Sequence, residues 1–130
     1  MRAGLDATSF EAWLAAYGRA WEEQDADGAA ALFSADATYQ EVPFDEPMRG
    51  REAIGAYWSE GTAAQEGVKF GAEVIAVSGD VGVARWRASF VRSASGARVR
   101  LDGIFLVRME SDGRCTQFQE WWHREEKPPS

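Results

Sequence analysis

The hydrophobic period of this 130-residue chain changes once along its length, and that change constrains the fold more than any other feature. Through about residue 62, apolar side chains recur every three or four positions; from Val68 onward they fall in runs rich in Val, Ile, Phe and Trp, separated by turn clusters. The first spacing aligns side chains along one stripe of a helix, whereas the second belongs to strands. Helices first and a strand meander afterwards predict an α+β domain, with the helices packed on one face of an antiparallel sheet.

Phe10, Trp13, Leu14, Tyr17 and Trp21 share one stripe, and Thr8 with Glu11 reads as a capping box, so a first helix is predicted over about 8–24. Asp25 or Asp27 can cap a shorter second helix through Phe33. Asp25-Ala26-Asp27-Gly28 superficially resembles a calcium loop, but its glycine comes too early for an EF-hand. Ala37 to Val42 reads as a strand, Pro43 to Gly50 as a loop, and about 52–62 as a third helix with Ile54, Tyr57 and Trp58 inward. The turn clusters Ser78-Gly79-Asp80, Ser93-Ala94-Ser95-Gly96 and Ser111-Asp112-Gly113 then delimit strands at about 68–77, 81–92, 97–110 and 114–124. The ordered core is expected over about 8–124, with 125–130 as a frayed tail.

This length is ordinary for one domain. Acidic residues (21) outnumber basic ones (14), and the resulting charge of −7 repels a phosphate backbone, which argues against nucleic acid as a partner. No stretch reaches the about 18 apolar residues of a membrane span, and Met1 to Asp6 lacks the apolar run of a secretory signal, so a cytoplasmic protein is expected. The single cysteine, Cys115, permits no internal disulfide and reads as a small core residue. No metal-ligand cluster, phosphate-cradling glycine loop or serine triad is present in the sequence, so neither a metal nor a cofactor is expected.

The element order resembles the SnoaL-like branch of the nuclear-transport-factor-2-like superfamily. Asp27-Gly28, Ala31-Leu32-Phe33 and Asp36-Ala37-Thr38 are similar to that family's second helix and first strand. Pro47 and Gly50 resemble its approach to the third helix, while Asp112-Gly113-Arg114 and Glu120-Trp121-Trp122 resemble its last hairpin and strand. The resemblance implies a cone-shaped fold, three helices on a curved sheet around an apolar pocket. It does not imply one activity, because this scaffold hosts isomerases, cyclases, hydrolases and proteins without chemistry.

Against ketosteroid isomerase, Tyr17 matches the oxyanion-hole tyrosine and Glu41 the general base, but Gly103 stands where the isomerase has its protonated aspartate. Asp102 points to the opposite sheet face. Against limonene-epoxide hydrolase, only Arg85 and Glu120 match; Arg87 stands where that mechanism needs an aspartate, and an arginine cannot act as a base. The cyclases' acidic residue and histidine have no secure counterpart, since His123 alternates away from Glu120.

The resemblance therefore nominates Glu41 as base, Tyr17 as hydrogen-bond donor, and Glu120 with Arg85 as orienting groups. Each has a plainer reading: Glu41 as a solvated strand end, Arg85–Glu120 as a structural ion pair, Tyr17 as helix-to-sheet packing. Trp13, Phe33, Tyr57, Trp58, Leu101, Gly103, Phe105, Phe118 and Trp122 are expected as core or pocket wall. The expected ligand is a small apolar molecule. Trp86 and Trp121 are expected on the outer sheet face, where the family often forms a homodimer. The reading from a different class is a dimeric binding or accessory module without catalysis.

Overall fold

A computed structural model of the chain describes residues 5–129. The first helix, α1 (Ala7–Glu22), is capped two residues before the expected Thr8. Asp6 is its N-cap: Oδ1 accepts the Ser9 amide at 2.7 Å, and Ser9 Oγ accepts the Asp6 amide at 3.4 Å. The chemistry is that foreseen for Thr8 and Glu11, performed by the neighbouring acceptor pair.

Helix α1 closes in a Schellman arrangement. Asp25 N–H bonds to Ala20 O at 2.8 Å and Gln24 N–H to Trp21 O at 3.1 Å. Gln24 takes the left-handed position usually left to glycine, with φ 55°. Its side-chain amide is held by the carbonyl oxygens of Thr62 and Gln65, at 2.5 and 2.6 Å, which ties the end of α1 to the far end of the third helix.

Asp25 caps α2 (Ala26–Ala30) through the Gly28 amide at 2.9 Å. This helix stops short of Phe33, which instead opens strand β1 (Phe33–Gln40), so the strand begins earlier than its sequence reading and ends immediately before Glu41. Part of the expected loop forms a two-residue strand, β2 (Met48–Arg49), paired antiparallel with β1. Gly50, at φ 90°, then leads into α3 (Arg51–Ala63).

The meander follows as β3 (Gln65–Ser78), β4 (Val81–Arg92), β5 (Arg98–Met109) and β6 (Cys115–Lys127). The strands form one open, six-stranded curved sheet in the order β2-β1-β6-β5-β4-β3. It is mixed rather than wholly antiparallel, because β1 runs parallel to β6. Residues 125–127 are not frayed: Arg98 pairs with Lys127, and Arg100 with Glu125, in the β5–β6 ladder. Among the described residues, no helix is long and apolar enough to cross a membrane.

Strand alternation sorts the sheet into two chemically different faces. Ala84, Trp86, Ala88 and Phe90 of β4, Phe105 and Val107 of β5, and Phe118 and Glu120 of β6 are buried under the helices. Trp86 therefore departs from its expected place on the outer face. It is 2% exposed and stacks on Phe105 with ring centroids 4.8 Å apart, because it shares parity with Ala84, Ala88 and Phe90. Trp121 does lie outside, 43% exposed.

Candidate functional site

Between α1, α3 and the inner sheet face lies a cavity of about 190 Å³. One end is built by Tyr17 of α1, Tyr39 of β1 and Glu120 of β6, with Glu41 and Tyr57 beside them. Tyr39 donates its hydroxyl proton to Glu120 Oε2 at 3.2 Å, and the Tyr17 hydroxyl lies 3.1 Å from that of Tyr39. With the Tyr39 proton committed to Glu120, Tyr17 is the donor to Tyr39, so the three groups form a relay ending on the carboxyl.

Glu120 is only 7% exposed. Among the described residues no arginine or lysine forms an ion pair with it. Burial disfavours its charged form, the neighbouring Glu41 carboxylate disfavours it further, and the Tyr39 hydrogen bond opposes both; the result is a carboxyl pushed up to about 8. Glu120 is thus a neutral carboxylic acid at pH 7, able to donate a proton. Tyr17 and Tyr39 are pushed well above the ordinary phenol range, by burial first and the charge of Glu120 second, and so remain donors. Tyr57 is also pushed up, by burial first and the charge of Glu120 second.

Glu41 follows the last residue of β1, where the parallel register sets Gln40 against Gln119, the residue before Glu120, and both Glu41 and Glu120 line the cavity. It is half-buried, at the junction of the cavity and the loop. Both carboxyls line the same cavity, and the Glu41 charge is one of the causes that raise Glu120. Such a pair holds a proton acceptor and a proton donor in one cavity, which is the minimum equipment for general acid/base chemistry.

Of the residues singled out from sequence, the structure brings Tyr17, Glu41, Glu120, Tyr57, Trp58, Leu101 and Trp122 to this cavity. Arg85 is not among them. It lies on the outer face, forked onto Asp102 at 3.2 and 2.8 Å, because its position on β4 has opposite parity to Trp86. The expected Arg85–Glu120 pair therefore does not form. Trp13, Phe33, Phe105 and Phe118 are buried core rather than cavity wall. Gly103 is also not part of the wall: a Cβ there would collide with the carbonyl oxygen of Trp121, so β5 and β6 approach too closely for any side chain, let alone an aspartate.

The residue that sequence reasoning missed is Tyr39. The available signal was its spacing from Glu41, since residues two apart on a strand share a face. Trp86, Arg92 and Arg124 were missed as cavity residues for the same reason. Two donors are left over: the indole N–H groups of Trp58 and Trp86, both in residues that line the cavity, have no hydrogen-bond acceptor among the described residues. Among the described residues, no three His, Cys, Asp or Glu side chains come together as metal ligands. Cys115 is buried and its thiol pushed up by that burial, which suits a core residue and not a nucleophile.

No protein of curated function matches the chain. Many solved structures share the fold, three of them as follows. SalBIII, an epoxide hydrolase/cyclase-like enzyme with a role in pyran ring formation in the polyether salinomycin, superposes with a TM-score of 0.79 at 19% identity, over 91% of this chain and 93% of that one. A hypothetical protein of ketosteroid isomerase-like fold from Catenulispora acidiphila DSM 44928, in complex with trimethylamine, gives 0.74 at 21% identity, covering 84% and 83% of the two chains. A computationally designed 17-OHP binder gives 0.79 at 19% identity, covering 91% and 98%. At these identities the likeness establishes architecture alone. Residues 12–118 match the model of the SnoaL-like domain, and the chain belongs to that family.

Proposed function

We propose that this protein catalyses acid/base chemistry on a small, largely apolar carbonyl compound or a related oxygen-bearing molecule. The supporting observation is the buried, ion-pair-free carboxyl of Glu120, held by the Tyr39–Tyr17 relay in the wall of a cavity that also contains Glu41. In this reading Glu41 removes a carbon-bound proton next to the carbonyl while Glu120 donates to the oxygen, giving an enol. Return of a proton at carbon and recovery of one by Glu120 completes an isomerisation with no external oxidant or reductant. Tyr17 and Tyr39 position Glu120 and do not themselves need to touch the substrate. The cavity, about 190 Å³, is smaller than the roughly 300–1,000 Å³ of sites for drug-sized ligands, which favours compact substrates over steroids.

The test is α-proton exchange of small cyclic ketones in deuterium oxide, followed by proton NMR. The expected result is accelerated exchange that Glu41→Gln reduces by about 10²-fold or more. Exchange at the buffer rate, for ketones shown to bind, contradicts the reading.

The second reading is a binding module without catalysis. The two unpartnered indole donors of Trp58 and Trp86 favour it, since an acceptor on a ligand would satisfy them without any reaction. Ligand-dependent stabilisation with no exchange would establish it. We also propose a homodimer through the outer sheet face, where Trp121 is exposed. Sedimentation analysis should show dissociation on Trp121→Ala; a monomeric wild type contradicts this.

A further inference from the structure

The cavity has a second end, made where β4 and β6 run out. On the inner face of β6 the alternation is Glu120, Trp122, Arg124, Glu126, and Arg92 is the last residue of β4. Arg92 and Arg124 both line the cavity; along β6 Trp122 lies between Arg124 and Glu120, and Leu101 of β5 sits directly opposite Arg124. Four residue steps run along β6 from Glu120 to Arg124, about 13 Å of backbone at about 3.3 Å each.

Charge at this end is unevenly matched. Arg92 forks onto Glu126, with Nε and Nη2 at 3.1 and 3.0 Å from its two oxygens. Arg124 reaches the same carboxylate at 3.9 Å, beyond hydrogen-bond range. Two permanent cations therefore share one anion, and Arg124, with a side chain 59% exposed, keeps its donors available. This local excess of positive charge stands out in a chain of net charge −7. The cavity is thus polarised: a carboxyl pair at one end, an apolar middle, and guanidinium donors at the other.

We propose that the ligand carries a carboxylate bound by Arg124 and Arg92, an apolar body against Leu101 and Trp122, and its reactive oxygen at Glu120. This rests on the acid/base reading and adds to it an anionic handle and a direction of binding. Glu126 already displays the geometry, since a carboxylate matches the planar fork of arginine, and a ligand carboxylate repeats that contact on Arg124. The reverse orientation places the ligand carboxylate at the end lined by Glu41 and Glu120, away from both guanidiniums.

Calorimetric titration of the full chain with 4-oxocyclohexanecarboxylate and its methyl ester tests the proposal, using Arg124→Gln and Glu126→Gln variants confirmed as folded by circular dichroism. The acid should bind at least about tenfold more tightly than the ester. Arg124→Gln should abolish that preference, and Glu126→Gln, which releases both guanidiniums, should enlarge it several-fold. Raising salt should weaken the acid and spare the ester. Equal binding of acid and ester, absence of acid binding, or a preference that survives Arg124→Gln overturns the proposal. The ester alone undergoing Glu41-dependent exchange would overturn this inference and retain the acid/base reading; Arg124-dependent acid binding without exchange would do the reverse.

Discussion

Glu120 and Asp102 sit on adjacent strands of one sheet and point to opposite faces, and their environments drive them in opposite directions. Asp102, outside, receives a fork from Arg85 and a longer contact from Arg87 at 3.5 Å. The Arg85 guanidinium holds its carboxyl below the ordinary carboxylate range. Glu120, inside, meets a tyrosine hydroxyl and another carboxylate, and is pushed up to about 8. The same functional group is an ordinary surface anion on one face and a neutral acid on the other. What separates them is the parity of a strand position, which decides between water with arginines and an aromatic core.

The largest test of this contrast is the apolar floor beneath Glu120. Phe118, fully buried and stacked on Tyr39 with centroids 4.5 Å apart, is the preceding inward residue of β6. Phe118→Ala should cost about 3–5 kcal/mol in urea unfolding. A loss below about 1 kcal/mol would mean that the inner face is not packed as described.

Next comes Glu120→Gln. The folded carboxyl titrates near 8 against an ordinary value of 4.5, so between those values the native state retains a proton that the unfolded chain has released. Stability conferred by the neutral acid is full below about 4.5 and falls as pH rises to about 8. Glutamine cannot ionise, so the variant's stability relative to wild type should rise between pH 5 and pH 8 by the order of a few kcal/mol. Melting curves at the two pH values check this, and a pH-independent difference breaks the comparison.

Tyr39→Phe should be smaller, about 1 kcal/mol, and should raise the Glu120 titration further by removing the hydrogen bond that favours its ionised form. Asp102→Asn should have the smallest effect, one that added salt erases. Its sign is opposite to that of Glu120: the contribution is present above the ordinary aspartate range and is lost as pH falls through the lowered value.

The same parity explains what could be read from the sequence. The period change, the three glycine turns and the span of β4 at 81–92 were legible because local patterns determine them. The opposition of His123 to Glu120 and of Asp102 to Gly103 followed from alternation alone. Arg85 was assigned to Glu120 by analogy with a related hydrolase, although it shares parity with Arg87 and not with the apolar set of β4. An outer position for Trp86 conflicts with its neighbours at two-residue spacing, Ala84 and Ala88, which are buried with it. The spacing of Tyr39 from Glu41 is a local signal, but its meeting with Glu120 needs one long-range fact, the parallel pairing of β1 with β6. The meeting of Glu41 and Glu120 at one cavity depends on that same pairing and is not legible in any local pattern.

The central claim, that Glu120 is a neutral acid facing a cavity, is tested most directly by carbon-13 NMR titration of the glutamate side-chain carboxyls, with the Glu120 resonance assigned by its loss in Glu120→Gln. A resonance titrating near 8, displaced in Glu41→Gln, is the predicted result. Titration of that resonance at about 4–5, within the ordinary glutamate range, would contradict the account.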